Sequence, residues 1–272
     1  MADQVKYTNK LQGKNVLIIG GSSDTPAHLL CIGYCVAEAC LEFGATVTIS
    51  SSNPDRVATA ISRLQSAYPS HKSHLLGHAC NLNDEATLES NLATLLDKTT
   101  SNGTNLLDHA VFTAGDALAA AKLADVDMAF IKQAGMVRFF APMLLGKLLP
   151  AHLRPGPASS FTITTGAVSE HPIPDWTVVG SYATGLHGLM RQLAVDLKPL
   201  RVNLISPAAV ETEFWNGIPE DNRMEMMKSF EAKMATGKVA QPEDVAESYL
   251  YCMRDANITG SVISTNGGQL IM

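Results

Sequence analysis

Short apolar runs rich in β-branched residues recur along the chain and alternate with segments of helical periodicity. Each run is continuous rather than alternating between apolar and polar residues, which is typical of parallel strands covered by helices on both faces. The pattern therefore predicts an α/β fold, a doubly wound, parallel, seven-stranded sheet with helices on both faces. The predicted strands are NVLIIG (15–20), TVTISS (46–51), SHLLGHAC (73–80), HAVFTAG (109–115), SFTITTG (160–166), RVNLISP (201–207) and SVISTN (261–266).

The chain has 272 residues and no internal repeat or linker, so we expect one domain over residues 1–272. Its 26 acidic residues exceed its 20 basic ones and no Lys/Arg run occurs, which argues against nucleic-acid or membrane binding and favours a small-molecule substrate. The most apolar region, Met128 to Leu149, is interrupted by Lys132, Arg138 and Lys147, and the N-terminus does not resemble a signal or transit peptide. We therefore expect a cytoplasmic protein.

Cysteine and histidine residues do not form a metal-binding pattern. The five cysteines include no CxxC pair, and in a reducing compartment such residues are usually small buried hydrophobes. His71, His74 and His78 lie close together but on alternating faces and in a predicted loop, which favours a solvated cluster. We expect no metal site.

The first predicted strand-to-helix turn is rich in glycine but interrupted. In a doubly wound sheet, ligands bind at the carboxyl ends of the strands, and a pyrophosphate reaches the first helix N-terminus where glycines leave room for it. Here GGSS (20–23) begins such a turn and IG (32–33) ends it. This turn resembles the TGxxxGIG sequence of the short-chain dehydrogenase/reductase family, except that eight residues, Asp24 to Cys31, stand where the family has one glycine.

Further landmarks extend this resemblance over essentially the whole chain. Asn81 follows the third strand, where the family usually has Asp, and TAG (113–115) stands where NAG is usual. SPAAVET (206–212) resembles the family's SPGxVxT, and NGG (266–268) resembles DGG. The resemblance implies a Rossmann-like fold, a nicotinamide cofactor, a small-molecule substrate and a homo-oligomer, since the family forms dimers and tetramers.

The family's cofactor positions can be transferred one by one. At the end of the second strand, SSSN (50–53) and Arg56 replace the acid that would bind a ribose diol, which favours NADP(H) over NAD. An equally compatible interpretation is that the serines only form a turn and that Arg56 is a solvated helix residue. The resemblance implies cofactor contacts from Gly20, Ser22, Ser23, Gly33, Ser52, Arg56, Asn81, Thr113, Gly115 and Thr212.

The family's catalytic tyrosine and lysine are missing. The helix sequence LHGLMRQLAVDLKPLRVN (186–203) aligns with the family almost without gaps, and counting back from Gly188 places Val179 at the tyrosine position and Ala183 at the lysine position. Thr165 falls at the position of the catalytic serine, and Tyr182 is predicted to be a pocket wall. A lost acid/base pair costs about 10²–10⁴-fold in rate for alcohol chemistry, but reduction of an iminium ion needs hydride alone.

The proline-rich segment PIPDW (172–176) and the following SYATGLHGL (181–189) resemble an atypical fungal subgroup of the family. That subgroup includes the bifunctional iminium reductase/Diels–Alderases of prenylated indole alkaloid biosynthesis. The resemblance implies catalytic roles for Arg138 and Thr165 and for an aspartate of the proline-rich segment, here Asp175, although the aligned position itself is Ile173. An equally compatible interpretation of Arg138 is a helix residue that pairs with a surface acid. Trp176 and Tyr182 are expected to line the substrate pocket.

Three functions remain open at this level. The first is NADP(H)-dependent reduction of an iminium or unsaturated intermediate, with an associated [4+2] cyclisation, which requires the insert at 24–31 to bulge away from the phosphate site. The second is a redox-silent cyclase or isomerase whose insert fills the cofactor cleft, so that only substrate conformation is controlled. The third is a non-catalytic partner of an active homologue.

Overall fold

A computed structural model describes residues 5–22, 30–215 and 218–272, with only the backbone described at Phe214. It contains a seven-stranded, fully parallel sheet in the order β3-β2-β1-β4-β5-β6-β7. This confirms the predicted doubly wound fold, and every predicted strand is present. The strands are β1 Asn15–Ile19, β2 Thr46–Ser51, β3 Leu75–Ala79, β4 His109–Phe112, β5 Ser160–Thr164, β6 Arg201–Pro207 and β7 Val262–Thr265.

Helices cover both faces of the sheet, as the continuous apolar strands require. Side chains of β1 alternate between the two faces: Val16 and Ile18 belong to the core beneath α1, α2 and α8, whereas Leu17 and Ile19 belong to the core beneath α3, α5 and α6. In the described residues the helices are α1 Ile32–Glu42, α2 Pro54–Ala67, α3 Leu88–Thr100, α4 Met128–Gly135, α5 Ala141–Leu148, α6 Thr177–Asp196, α7 Glu220–Glu231 and α8 Pro242–Arg254.

Strand order reverses at β1, which pairs with β2 on one side and with β4 on the other. The chain therefore leaves β1 and β4 in opposite directions across the sheet, and a crevice opens at their carboxyl ends. In the described part of the chain, the predicted cofactor-binding residues follow the carboxyl ends of β1, β2, β3, β4 and β6 or lie in the first turn of the next helix.

One helical stretch in the described part of the chain, Met128–Ala151, is long and apolar enough to cross a membrane by length and composition alone. It comprises α4, a π-helical turn at Met136–Phe140, α5 and a final short turn. Its inner face carries Ala141, Leu145 and Leu149, which are fully buried in the core shared with α6. This burial accounts for its apolar character within the fold.

Candidate functional site

A cleft of about 1060 Å³ runs along the carboxyl ends of β1, β2, β4, β5 and β6. Its walls include nearly all of the residues that the sequence nominated for cofactor, catalysis or substrate. These are Gly20, Ser22, Gly33, Ser52, Arg56, Asn81, Thr113, Gly115, Arg138, Thr165, Trp176, Tyr182 and Thr212. Ser23, also nominated, lies outside the described residues, as does most of the insert that follows it.

The glycine turn after β1 is packed so closely that two positions exclude a side chain. Gly20 has a φ of +102°, and a Cβ there would lie 2.4 Å from the amide nitrogen of Ala114. A Cβ on Gly33, in the first turn of α1, would lie 2.6 Å from the carbonyl oxygen of Gly20 and 2.5 Å from the hydroxyl of Thr113. The contact between turn and helix that brings a phosphate to the helix amides is therefore retained.

Cys31, the last residue of the insert, is hydrogen-bonded to the glycine turn that precedes the insert. The Cys31 thiol donates to the carbonyl oxygens of Ser22, at 3.3 Å, and Gly20, at 3.5 Å. Burial raises the pKa of this thiol to about 12, so it keeps the proton that it donates. Cys31 thus lies beside the turn that precedes the insert, and Gly20, Ser22 and Gly33 all line the cleft.

The polar residues that follow β2 have two different roles: one caps a helix and two line the cleft. Asn53 caps α2, because its side-chain oxygen accepts from the backbone amides of Asp55, at 2.8 Å, and Arg56, at 3.2 Å. Ser52 is exposed and lines the cleft, and Arg56 lines it from the first turn of α2. A hydroxyl and a guanidinium therefore face the cleft where the ribose of a dinucleotide would lie.

At the positions of the family's catalytic tyrosine and lysine, the cleft is lined by aliphatic side chains. Val179 and Ala183, on successive turns of α6, both line the cleft. The hydroxyl of Thr165, which follows β5, donates to the carbonyl oxygen of Ala183 at 2.8 Å. Tyr182 also lines the cleft, but its hydroxyl donates to the carbonyl oxygen of Ile131 at 3.0 Å and its ring packs against Phe139. Tyr182 thus forms part of the cleft wall, and its hydroxyl is hydrogen-bonded to the backbone.

Arg138 lies in the π-helical turn Met136–Phe140 between α4 and α5. Such turns insert an extra residue into a helix and are frequent at functional sites. The Arg138 Nε lies 3.0 Å from the Asp116 Oδ1, and an Arg138 Nη2–H also donates to the Asp116 carbonyl oxygen. Both side chains are only about 30% exposed and both line the cleft.

Asp175 is not brought to Arg138. It is exposed, has a φ of +63° and accepts a backbone hydrogen bond from Ala121 at 3.0 Å through its carbonyl oxygen. Its side chain is not among those that line the cleft, whereas Ile173 and Trp176 of the same segment are. The carboxylate beside Arg138 is Asp116, which the sequence interpretation missed. Its position directly after TAG (113–115), at the carboxyl end of β4, was the available signal.

The remainder of the cleft wall is mostly apolar. Phe230, near the end of α7, lines it and packs against the ring of Trp215, with ring centroids 5.8 Å apart. Further apolar walls come from Leu118, Val137, Val168 and Leu186. Within the described ranges, no group of three or more His, Cys, Asp or Glu side chains is placed to hold a metal ion.

The parallel seven-stranded sheet, the glycine turn and the cleft at the strand ends define a dinucleotide-binding Rossmann architecture. The model of an SDR-like Rossmann domain matches residues 7–272, and the chain therefore belongs to the short-chain dehydrogenase/reductase family. This confirms the family resemblance seen in the sequence.

Two curated fungal relatives match the full length of the chain. It is 44% identical over 276 residues to the short-chain dehydrogenase/reductase fsr5 of Gibberella fujikuroi, with 100% of both chains covered. It is 41% identical over 272 residues to the short-chain dehydrogenase/reductase malC of Malbranchea aurantiaca, again with 100% of both covered. The resemblance to the atypical fungal subgroup is thus confirmed.

Solved structures agree with these matches. The structure of the MalC reductase/Diels-Alderase superposes with a TM-score of 0.89 at 41% identity, covering 97% of this chain and 99% of that one. An NADPH-bound short chain oxidoreductase from Pseudomonas aeruginosa PAO1, described as containing an atypical catalytic center, has a TM-score of 0.81. At 20% identity, with 94% of this chain and 96% of that one covered, the latter shows a shared fold.

Proposed function

We propose that this protein is an NADP(H)-dependent oxidoreductase of secondary metabolism that reduces an iminium or unsaturated intermediate of a bulky, alkaloid-like substrate. The observation that carries the proposal is the retained close packing of Gly20 against Gly33, which we call the glycine cradle. Gly20 and Gly33 still pack against each other with no room for a Cβ, and Cys31 is hydrogen-bonded to Gly20 and Ser22 beside them. This packing holds the N-terminus of α1 against the turn, as binding of a pyrophosphate requires.

The residues present fit a dinucleotide in that cleft. Gly20, Ser22 and Gly33 would surround the phosphates at the start of α1, and Thr113 and Thr212 line the wall further along. Ser52 and Arg56 would hold a 2′-phosphate, because a cationic fork binds a phosphate better than a ribose diol does. Bound NADPH would supply a hydride to the substrate.

The residues at the family's catalytic positions suit a hydride acceptor that needs no proton. Val179 and Ala183 carry no ionisable group, and the Tyr182 hydroxyl is bonded to backbone. Reduction of a ketone would leave an alkoxide that these side chains cannot protonate, whereas reduction of an iminium ion leaves a neutral amine. The chain's own groups then have only to exclude water and hold the substrate's orientation.

A [4+2] cyclisation in the same cleft is the second activity that we propose. The MalC relative, 41% identical, is described as a reductase/Diels-Alderase. A pericyclic step needs a bound conformer rather than a proton donor, and a cleft of about 1060 Å³ with apolar walls suits that task. If the nucleotide does not bind, this activity alone would remain, as a redox-silent cyclase.

We also propose a cytosolic homo-oligomer. Met128, Met143 and Val195 on α4, α5 and α6 are 68%, 41% and 59% exposed, so these helices carry apolar side chains that a second copy could cover. All five cysteines are free thiols, as a reducing compartment would keep them.

The test is a fluorescence titration with NADPH. The protein is compared with a variant in which residues 24–31 are replaced by one glycine, the family length. We expect both forms to bind NADPH with dissociation constants within about tenfold of each other. Binding by the shortened form alone would favour the redox-silent cyclase, and binding by neither would leave the non-catalytic partner.

A further inference from the structure

We propose that Arg138 and Asp116 together form a subsite for a secondary amide of the substrate, with Arg138 donating to the amide oxygen and Asp116 accepting from the amide N–H. This inference rests on the proposed function, which places a bulky apolar substrate in the cleft. It assigns to Asp116 the role that the family resemblance suggested for a carboxylate in the proline-rich segment, and it names the chemical group that the pair recognises.

The first support is that the ion pair leaves one polar side-chain atom of each residue unused. Arg138 contacts Asp116 through Nε and Nη2, and Asp116 accepts through Oδ1 and its backbone carbonyl oxygen. In the described part of the chain, neither Nη1 of Arg138 nor Oδ2 of Asp116 has a hydrogen-bond partner. Both residues line the cleft. The pair therefore offers one donor and one acceptor that a ligand can use.

The second support is that the guanidinium is held in place. The π-helical turn carries Arg138 over the end of β4, and a Cβ on Gly115 would lie 2.9 Å from both Nη1 and Nη2. A larger side chain at this position would displace the guanidinium from its place beside the backbone. Two hydrogen bonds to Asp116 then fix the plane of the Arg138 guanidinium, so its Nη1 keeps one orientation.

The charge of the pair excludes other ligands. A carboxylate would be repelled by Asp116 and an ammonium by Arg138, so the paired charges favour neither ion. A ketone or tertiary amide could use the donor but would offer no hydrogen to the Asp116 oxygen, so it gains less from the pair. A secondary amide satisfies both groups, and in a lactam its oxygen and N–H lie on the same side.

The surroundings indicate the rest of the ligand. Leu118, Val137 and Trp176 line the cleft with the pair, and Tyr182 presents its ring from α6. Apolar walls around a few polar groups are typical of sites in which the polar groups orient a large hydrophobic ligand. The structure thus suits a polycyclic, mostly apolar compound that carries one lactam.

The test uses three fused-ring probes of nearly equal size. The lactam 3,4-dihydro-2(1H)-quinolinone carries C=O and N–H, its N-methyl derivative lacks the N–H, and 2-tetralone has a ketone alone. Binding is measured without nucleotide by ligand-observed NMR at millimolar concentrations. We expect the protein to prefer the lactam over both other probes by about tenfold, a ratio suited to one hydrogen bond to a charged group.

Asp116→Ala should reduce that preference to about one while leaving the affinity for 2-tetralone unchanged. Because Arg138 would lose its counter-charge, the same variant should gain affinity for 2-naphthoate. Asp125→Ala, which removes an exposed aspartate on the same connection, is the matched control and should change neither result. If Asp116→Ala does not fold, Asp116→Asn keeps the shape and should still gain binding of 2-naphthoate.

Several outcomes would overturn the proposal. They are the absence of lactam binding to the unaltered protein, an equal affinity for the three probes, and a preference that survives in Asp116→Ala. A fourth is a loss of NADPH affinity in Asp116→Ala with lactam binding unchanged, because the pair would then hold the cofactor's carboxamide. Failure of the unaltered protein to bind NADPH, with lactam selectivity intact, would remove the proposed reductase function and leave this subsite.

Discussion

The Cys31 thiol lies 3.3 Å from the carbonyl oxygen of Ser22, although the two residues are nine positions apart in the sequence. The thiol also reaches the carbonyl oxygen of Gly20, at 3.5 Å, so one side chain contacts two residues of the turn that precedes the insert. A serine could donate to the same oxygens, but its shorter bonds would not span these distances. The contact explains how a lengthened turn can preserve the packing of Gly33.

The pKa values of the cysteine thiols predict that they are chemically inert in the folded protein. Burial raises the pKa of Cys31 to about 12, and it likewise raises the pKa of Cys80 to about 11 and of Cys40 and Cys252 to about 12. Because the thiolate is the reactive form, we expect almost no reaction with Ellman's reagent at pH 8 until the protein is denatured. Rapid release of one equivalent from native protein would contradict the raised pKa of the Cys31 thiol, which lines the cleft.

Gly33→Ala should weaken NADPH binding by tenfold or more, an effect of about 1.4 kcal/mol. The added Cβ would lie 2.5 Å from the Thr113 hydroxyl and 2.6 Å from the Gly20 carbonyl oxygen, so the turn would have to move. Gly188→Ala is the control, because that α6 glycine has no atom within 4 Å of the added Cβ. A fluorescence titration would give both affinities, and equal values would show that the cradle does not hold the nucleotide.

Arg56→Gln should lower affinity for NADPH and leave affinity for NADH unchanged. The guanidinium lines the cleft beside Ser52, and its charge would matter only for the 2′-phosphate. Since the side chain is exposed, we expect a loss of about three- to tenfold, and the loss should shrink at high salt. Equal losses for both nucleotides would identify Arg56 as a general contributor to folding or binding.

Tyr182→Phe should leave the pH dependence of turnover unchanged. The hydroxyl donates to the Ile131 carbonyl oxygen at 3.0 Å, and burial raises the pKa of Tyr182, which opposes a role as a base. The expected effect is a loss of about 1 kcal/mol in the free energy of unfolding, typical of one hydrogen bond. Urea denaturation measures that loss. A large fall in turnover with stability intact would make Tyr182 a proton donor.

Stability should decline as the pH rises through the range from about 4.5 to about 7, because of Glu38. Burial between α1 and α8, together with the charges of Glu243 and Glu42, raises the pKa of Glu38 from 4.5 to about 7, while Arg63 opposes the shift. The folded state then binds a proton that the unfolded state has released, so this contribution is fully present below pH 4.5 and lost above pH 7.

Glu38→Gln should therefore stabilise the protein at pH 8 by on the order of 1 kcal/mol, after allowance for solvent screening, and should have little effect at pH 4.5. Glu225→Gln, at an exposed position on α7, is the control. Denaturation curves at the two pH values would measure the difference. The same stabilisation at both pH values would contradict a proton-linked origin.

The fold was predictable because each strand is a continuous apolar run, and the site positions were predictable because they follow the ends of those strands. Thr113 and Thr165 reach the cleft for this reason alone. The pairing of Arg138 with Asp116 was not predictable, since it joins residues 22 positions apart through a π-helical turn that tertiary packing creates. Asp175 lies two residues beyond the aligned position, and in the structure it is exposed and does not line the cleft.

The α6 surface formed by Val179 and Ala183 has one more chemical consequence. Neither residue carries a nucleophilic atom, so an electrophilic intermediate held against this surface of α6 meets no group there that it could alkylate. In the proposed reaction, aliphatic side chains at the positions of the family's tyrosine and lysine would thereby lengthen the lifetime of a reactive species beside α6.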